Sequence, residues 1–210
     1  MFISDKQYRA FAWGIGLGIY GCMGGQLFLL GRMGLLSPAT ALPLHLCSFC
    51  GAIALPVLVN RHQSGWEFLL LLGLPGALGA LLFPSILQCP WQRWMDFFFM
   101  GLHTLLVIAA LLPLLAGMRP RPQPWGVLLW GNGLVLMALA ANDLFRANFL
   151  FLQSAPWETP LVFFHQWGPW GYLLWLEALA VLIVLLAGLM IKSGLKPAIG
   201  KRKNRAGVEP

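Results

Sequence analysis

Six apolar runs, roughly 10–31, 41–59, 66–87, 95–117, 124–145 and 167–192, take up most of this chain. Each is long enough for a helix to cross ~30 Å of hydrocarbon with some tilt, which needs about 20 residues. The expectation is therefore an all-α, polytopic membrane protein with six transmembrane helices. A soluble fold is a poor match, because only 10% of the residues are charged, against about 25% in an average soluble domain. The first run follows a polar segment, Met1 to Arg9, and no small-residue cleavage site comes after it. It reads as a retained span and not as a removed signal peptide.

Six spans put both termini on one side, and the charges say which. With alternating spans, one side collects Lys6, Arg9, Arg61, Arg119, Arg121, Lys192, Lys196, Lys201, Arg202, Lys203 and Arg205, eleven of the fourteen Lys and Arg residues. The other side holds Arg32, Arg93 and Arg146. Cytoplasmic loops are the ones enriched in Lys and Arg, so both termini are expected in the cytoplasm. Residues 1–192 then form a single transmembrane domain, and 193–210 a basic, disordered cytoplasmic tail. That tail meets anionic headgroups on the inner face; no nucleic-acid partner is expected. The location implied is a membrane that the chain crosses several times.

Topology converts position into depth. His45 and Cys47 fall within about two turns of the outer surface at ~1.5 Å per residue. His103 lies about 10 Å beyond Asp96, which is at the mouth of the fourth span. Asn142 and Asp143 close the fifth span on the outside, and Glu177 is about ten residues into the sixth, near the midplane. Asn132 is the exception on the cytoplasmic half. The fifth connector, 146–166, is long and carries Asn148, Gln153, Trp157, Glu158 and His165. Long mixed loops of this kind are often functional. An ionisable side chain inside a span costs roughly 2.5–3.5 kcal/mol when fully charged, so such residues are functional candidates by default. Together they point to a polar cavity in the outer half of the bilayer.

Each of these residues also has a plainer reading. His45 can simply bond a helix carbonyl, and Glu177 can be a structural partner for a histidine or arginine. Cys22, Cys47, Cys50 and Cys89 are too few and too scattered for a disulfide scaffold. Cys47-Ser48-Phe49-Cys50 is formally a CxxC, but no second pair or His-rich loop supports zinc. A buried thiol otherwise behaves as a small apolar group. The tryptophans, Trp157, Trp167 and Trp170, suit interfacial anchoring. Gly-rich stretches such as Gly14-Ile15-Gly16-Leu17-Gly18 and Gly73 to Gly79 suit close helix packing and not nucleotide binding. No metal or cofactor is expected.

The arrangement resembles the YwaF-like family of bacterial integral membrane proteins. The resemblance rests on Leu42-Pro43-Leu44-His45-Leu46-Cys47, Phe83-Pro84, His103 with Pro113 beyond it, Asn148-Phe149-Leu150-Phe151-Leu152, and Gly168-Pro169-Trp170-Gly171-Tyr172-Leu173-Leu174-Trp175-Leu176-Glu177. The chain is shorter than typical members and lacks their second aromatic or proline near Gly171. The YwaF-like proteins look like distant relatives of eukaryotic transmembrane acyltransferases that remodel ether phospholipids. In those enzymes the cysteine precedes the motif histidine, a position held here by Leu44. A similar spacing of nucleophile and histidine belongs to the androgen-induced family of transmembrane hydrolases of fatty acid esters. By that likeness Cys47 is the nucleophile and His103 the base.

Acyl transfer needs an activated nucleophile, a base and oxyanion donors. Read as two helical residues, His45 and Cys47 point about 200° apart, which favours His103 as the base. His45 is then a second candidate in the same site. Asn142, Asn148 and Trp170 are candidate donors to an oxyanion or headgroup, and Glu177 a candidate orienter of a histidine. The function expected is a lipid acyltransferase or lipid-ester hydrolase with membrane lipids as partners. The alternative is a small-solute or proton-coupled carrier, or a ligand-binding subunit without catalysis.

Overall fold

The computed structural model describes residues 3–121, 125–156 and 159–194, with side chains described through residue 190. The basic tail, Trp157 and Glu158 lie outside the described residues. Six helices dominate: α1 (Asp5–Arg32), α2 (Leu46–Val59), α3 (Gln63–Leu82), α4 (Gln92–Leu115), α5 (Trp125–Phe145) and α6 (Gly168–Gly194). Short turns of helix, Pro38–Ala41, Phe149–Phe151 and Leu161–His165, punctuate the connections, and no strand occurs among the described residues. Five helices are long and apolar enough to cross a membrane. The exception is α2, with 14 residues. At ~1.5 Å per residue it covers about 21 Å and falls short of the hydrocarbon thickness.

The shortening has a local cause. Pro43 disfavours helical backbone at the residue before it, and Leu42 is extended, with φ −67° and ψ 133°. His45 is extended too, at φ −77° and ψ 149°. The second span therefore starts at Leu46 and not near residue 41. Prolines shape α3 as well. Pro75 has no N–H to give, and the turn before it, Leu69–Gly73, widens to π-helical geometry. Phe83, which precedes Pro84, leaves the helix at φ −129° and ends α3 at Leu82, five residues before the expected limit.

Packing centres on α1, which lies against α2 and α4. Small residues let these helices approach: a Cβ added to Gly25 would sit 2.5 Å from the Phe98 ring. Pro56 inside α2 leaves the Ala52 carbonyl without its helical donor. The Tyr20 hydroxyl of α1 donates to that carbonyl at 2.8 Å. Tyr8 donates to the Leu58 carbonyl at 2.9 Å near the end of α2, where that oxygen also accepts from the Arg61 N–H at 3.2 Å. Trp66 ties α3 to α4 through the Ala110 carbonyl at 2.9 Å, beside Pro113. In a bilayer no water satisfies such carbonyls, so these side chains hold the bundle together. Tyr20→Phe should cost about 1 kcal/mol, since intramembrane hydrogen bonds average ~0.6 and reach ~1.7. Reversible unfolding in mixed detergent micelles measures it; an unchanged midpoint would mean that Tyr20 does not serve Ala52.

The two salt bridges among the described residues, Arg61–Asp5 and Arg121–Glu67, lie at one end. Arg61 pairs with Asp5 at 2.7 Å and lies over the Tyr8 ring, 4.4 Å from its centroid. Two residues on, Gln63 reaches the Arg119 carbonyl at 3.0 Å. The opposite end, called the far end below, is closed by the 149–151 turn and its surroundings. A second apolar cluster there joins Ala138, Ala141, Phe149, Leu152 and Tyr172.

Candidate functional site

The break before α2 makes the site. The first hydrogen bond of this helix runs from the Phe49 N–H to the His45 carbonyl at 2.8 Å. The N–H groups of Leu46, Cys47 and Ser48 therefore have no acceptor inside the helix. The His45 side chain occupies the N-cap position but makes no capping bond. Among the described residues nothing else accepts from these three groups. A helix start with unsatisfied N–H donors carries about half a positive charge and favours an anion. Cys47 is the second residue of that turn, so its side chain and its own N–H belong to the same small region.

The N-cap position also changes the relation between His45 and Cys47. The opposed directions expected for two helical residues do not apply, because His45 precedes the helix. Its ring packs on Phe149 and Phe151, with centroids 5.4 and 4.9 Å away. Neither ring nitrogen has a hydrogen-bond partner among the described residues, and neither is sealed from the surface. Asn142 fixes this packing from below. It is 3% exposed; its Nδ2 donates to the Phe149 carbonyl at 3.1 Å and its Oδ1 accepts from the Phe149 N–H at 2.6 Å. Both ends of the side-chain amide are thus engaged, and Asn142 positions Phe149, which in turn backs His45.

His103 lies on α4 and is 5% exposed. Its Nδ1 bonds the Phe99 carbonyl at 2.7 Å, and its ring lies tilted against Phe99 with centroids 4.2 Å apart. A carbonyl only accepts, so Nδ1 carries the proton and Nε2 bears the lone pair. That Nε2 makes no hydrogen bond among the described residues and keeps some accessible surface. It is therefore in the tautomer a general base needs. Close to this point α4 meets α2: a Cβ on Gly51 would lie 3.4 Å from Leu102, the residue before His103. Gly51 is one turn along α2 from Cys47.

The thiols face α3. A Cβ on Gly73 would stand 2.9 Å from the Cys50 sulfur, and one on Gly76 would be 3.8 Å from the Cys47 sulfur. Cys50 is fully buried, whereas Cys47 is half-buried. No hydrogen bond joins Cys47 to either histidine in this structure.

The other expected site residues separate into different settings. Asn148 holds the connector between α5 and α6: its Nδ2 donates to the Ser154 carbonyl at 2.8 Å, and its Oδ1 accepts from the Gln153 N–H at 2.9 Å. Trp170 is 78% exposed on the apolar face of α6. Glu177 meets no histidine; its Oε1 accepts from Asn132 Nδ2 of α5 at 3.1 Å. The structure thus brings Asn142 to the His45 surroundings, engages Asn148 in bonds within the connector directly before Phe149, and places Trp170 and Glu177 on α6.

Two features escaped the sequence reading. Glu67 is completely buried and is held by Arg121 and Gln63. The signal was present in an acidic residue at the start of the third run and two arginines in a connector at the same end. The second feature is aromatic. Tyr172 is fully buried and its ring lies 5.1 Å from that of His165. The Tyr172 hydroxyl and His165 Nε2 are buried without a hydrogen-bond partner among the described residues. Only tertiary packing brings those two rings together.

A family model described as the TMEM164 family matches residues 3–188. No curated protein and no solved structure matches the chain.

Proposed function

We propose, for a chain that belongs to the TMEM164 family, that the far end of the bundle is an acyl-transfer site acting on membrane lipid esters. The observation that carries this reading is the first turn of α2. It combines three N–H groups without acceptors, the Cys47 thiol, and an uncapped His45 whose ring nitrogens are both free. Preorganised backbone donors of this kind stabilise an ester oxygen as negative charge develops on it. The resemblance to transmembrane acyltransferases and ester hydrolases read from the sequence motifs points to the same chemistry. In this reading the basic end faces the cytoplasm of a bacterial inner membrane, and substrate enters sideways from the outer leaflet.

A histidine takes the Cys47 proton, the thiolate attacks the ester carbonyl, and a C–S bond forms while the oxyanion rests on the α2 N–H groups. The C–O bond then breaks, and the histidinium returns its proton to the departing alcohol. A second alcohol, or water, attacks the thioester to release the acyl group and restore the thiol. His103 is the first candidate base, by its free Nε2; His45 is the second, by its place over the α2 start. Fluorescent phospholipid turnover in proteoliposomes separates them. The true base, changed to Ala, should lose about 10²–10⁴-fold in turnover. The other histidine should lose much less, and full turnover in both variants would rule out histidine base catalysis.

The Asn132–Glu177 pair favours a second reading. A carboxylate about 14 Å along α6, at ~1.5 Å per residue, suits a proton-coupled carrier. Solute uptake that survives Cys47→Ala but fails in Glu177→Gln would select that reading over the enzyme.

A further inference from the structure

The first half of α4 carries a trench that the acyl-transfer reading does not use. Two adjoining concavities of about 520 and 680 Å³ run along it and share Asp96 and Met100. Their upper rim is polar, with Gln88, Gln92, Arg93 and Asp96. Lower down the lining is apolar, with Phe97, Met100 and Leu105. Arg93, Asp96, Met100 and Thr104 follow one another at three- and four-residue intervals, so they form one stripe along the helix. The stripe faces outward: Phe97 is 61% exposed and Met100 39%.

The charges at the rim are unusual in being adjacent but unpaired. Arg93 makes no hydrogen bond or ion pair among the described residues. Asp96 accepts one bond, from Gln92 Nε2 at 2.6 Å, and has its second oxygen free. At three residues apart on a helix their Cβ atoms are about 5–6 Å from each other. A cation and an anion thus stand side by side at the end of a span, where lipid headgroups lie. We propose that this trench binds a zwitterionic glycerophospholipid of the surrounding bilayer. Its phosphate takes the Arg93 guanidinium, whose planar fork fits phosphate oxygens. Its ammonium lies against Asp96, and one acyl chain runs down past Phe97, Met100 and Leu105. From Arg93 to Leu105 the helix rises about 18 Å, more than the depth of one leaflet's hydrocarbon. A neutral headgroup would leave both charges unanswered, and an anionic one would meet the Asp96 carboxylate.

The site is independent of the Cys47 chemistry, and the experiment keeps the two apart. Purified, delipidated full-length protein is titrated with phosphatidylcholine or phosphatidylglycerol and examined by native mass spectrometry. The wild-type protein should bind phosphatidylcholine more tightly than phosphatidylglycerol. Arg93→Gln should weaken both lipids by about tenfold. Asp96→Asn should weaken phosphatidylcholine alone and erase the preference. Met100→Trp fills the trench and should remove bound lipid while leaving the thermal midpoint unchanged. Cys47→Ala should bind as the wild type does, whatever becomes of turnover. Equal affinity in the wild type and Arg93→Gln, or a wild-type preference for phosphatidylglycerol, would overturn the proposal.

Discussion

Arg121→Ala should destabilise the protein by about 3–5 kcal/mol, the cost of leaving a buried charge without its partner. Glu67 has no exposed surface. Its Oε1 accepts from the Arg121 backbone N–H at 2.7 Å and from Gln63 at 2.7 Å. The guanidinium adds Nε at 3.1 and 3.0 Å and Nη2 at 2.6 Å, and a further bond from Nη2 to Ser64 at 3.1 Å. This side-on, two-oxygen grip is the strong form of the ion pair. It also acts on the arginine, whose pKa is held above its usual value by the Glu67 carboxylate. Because Arg121 lies in the connector before α5 and Glu67 in the first turns of α3, the pair fastens a loop to a span. Removing the guanidinium leaves the carboxylate with Gln63 and one backbone N–H. Glu67→Leu combined with Arg121→Ala should recover most of the loss, since no buried charge is then stranded. Reversible unfolding in mixed micelles reads both variants. Equal destabilisation by the single and double changes would mean that the pair contributes through packing and not through charge.

That clamp also shows what the sequence could and could not reveal. The apolar runs were legible because a span is written in length and hydropathy alone. The last three runs became helices within three residues of the expected limits, whereas the first helix begins five residues early, at Asp5, and the third ends five residues early, at Leu82. The second was misjudged at its start. Leu42-Pro43-Leu44-His45 is as greasy as a span, but the backbone constraint of Pro43 outweighs hydropathy there. The pairings between runs were not legible. Nothing local marks Asn132 as the partner of Glu177, or Asn142 as the clamp on Phe149. These contacts depend on which helix faces meet. The glycines from 73 to 79 were legible as a surface for close helix packing, and α2 does approach Gly73 and Gly76; that Cys47 and Cys50 are the side chains packed there was not legible, because it is a tertiary event. His103 was legible as a lone ionisable residue in a long apolar stretch; its tautomer was not, since that is fixed by the Phe99 carbonyl.

The largest functional effect should fall on Cys47. If its sulfur is the nucleophile, Cys47→Ala should lower lipid turnover by more than about 10⁴-fold, the scale seen when a catalytic nucleophile is removed. Cys50→Ala should not. Cys50 is fully buried against the Gly73 turn, so its replacement is a packing change. Truncating it removes a small apolar side chain and should cost stability and not chemistry. The contrast between two cysteines one turn apart controls for general damage to α2. The approach of an acyl group also requires the thiol to swing from the Gly76 surface toward the α2 start.

The most direct measurement is the covalent intermediate itself. Protein in vesicles of an ester phospholipid is quenched in acid, and the peptide containing Cys47 is weighed by mass spectrometry. The acyl-transfer account predicts a mass increase equal to one fatty acyl group on Cys47, labile to hydroxylamine and absent from Cys47→Ala. Undiminished lipid turnover in Cys47→Ala, with no acyl group on Cys47 in the wild type, would contradict it.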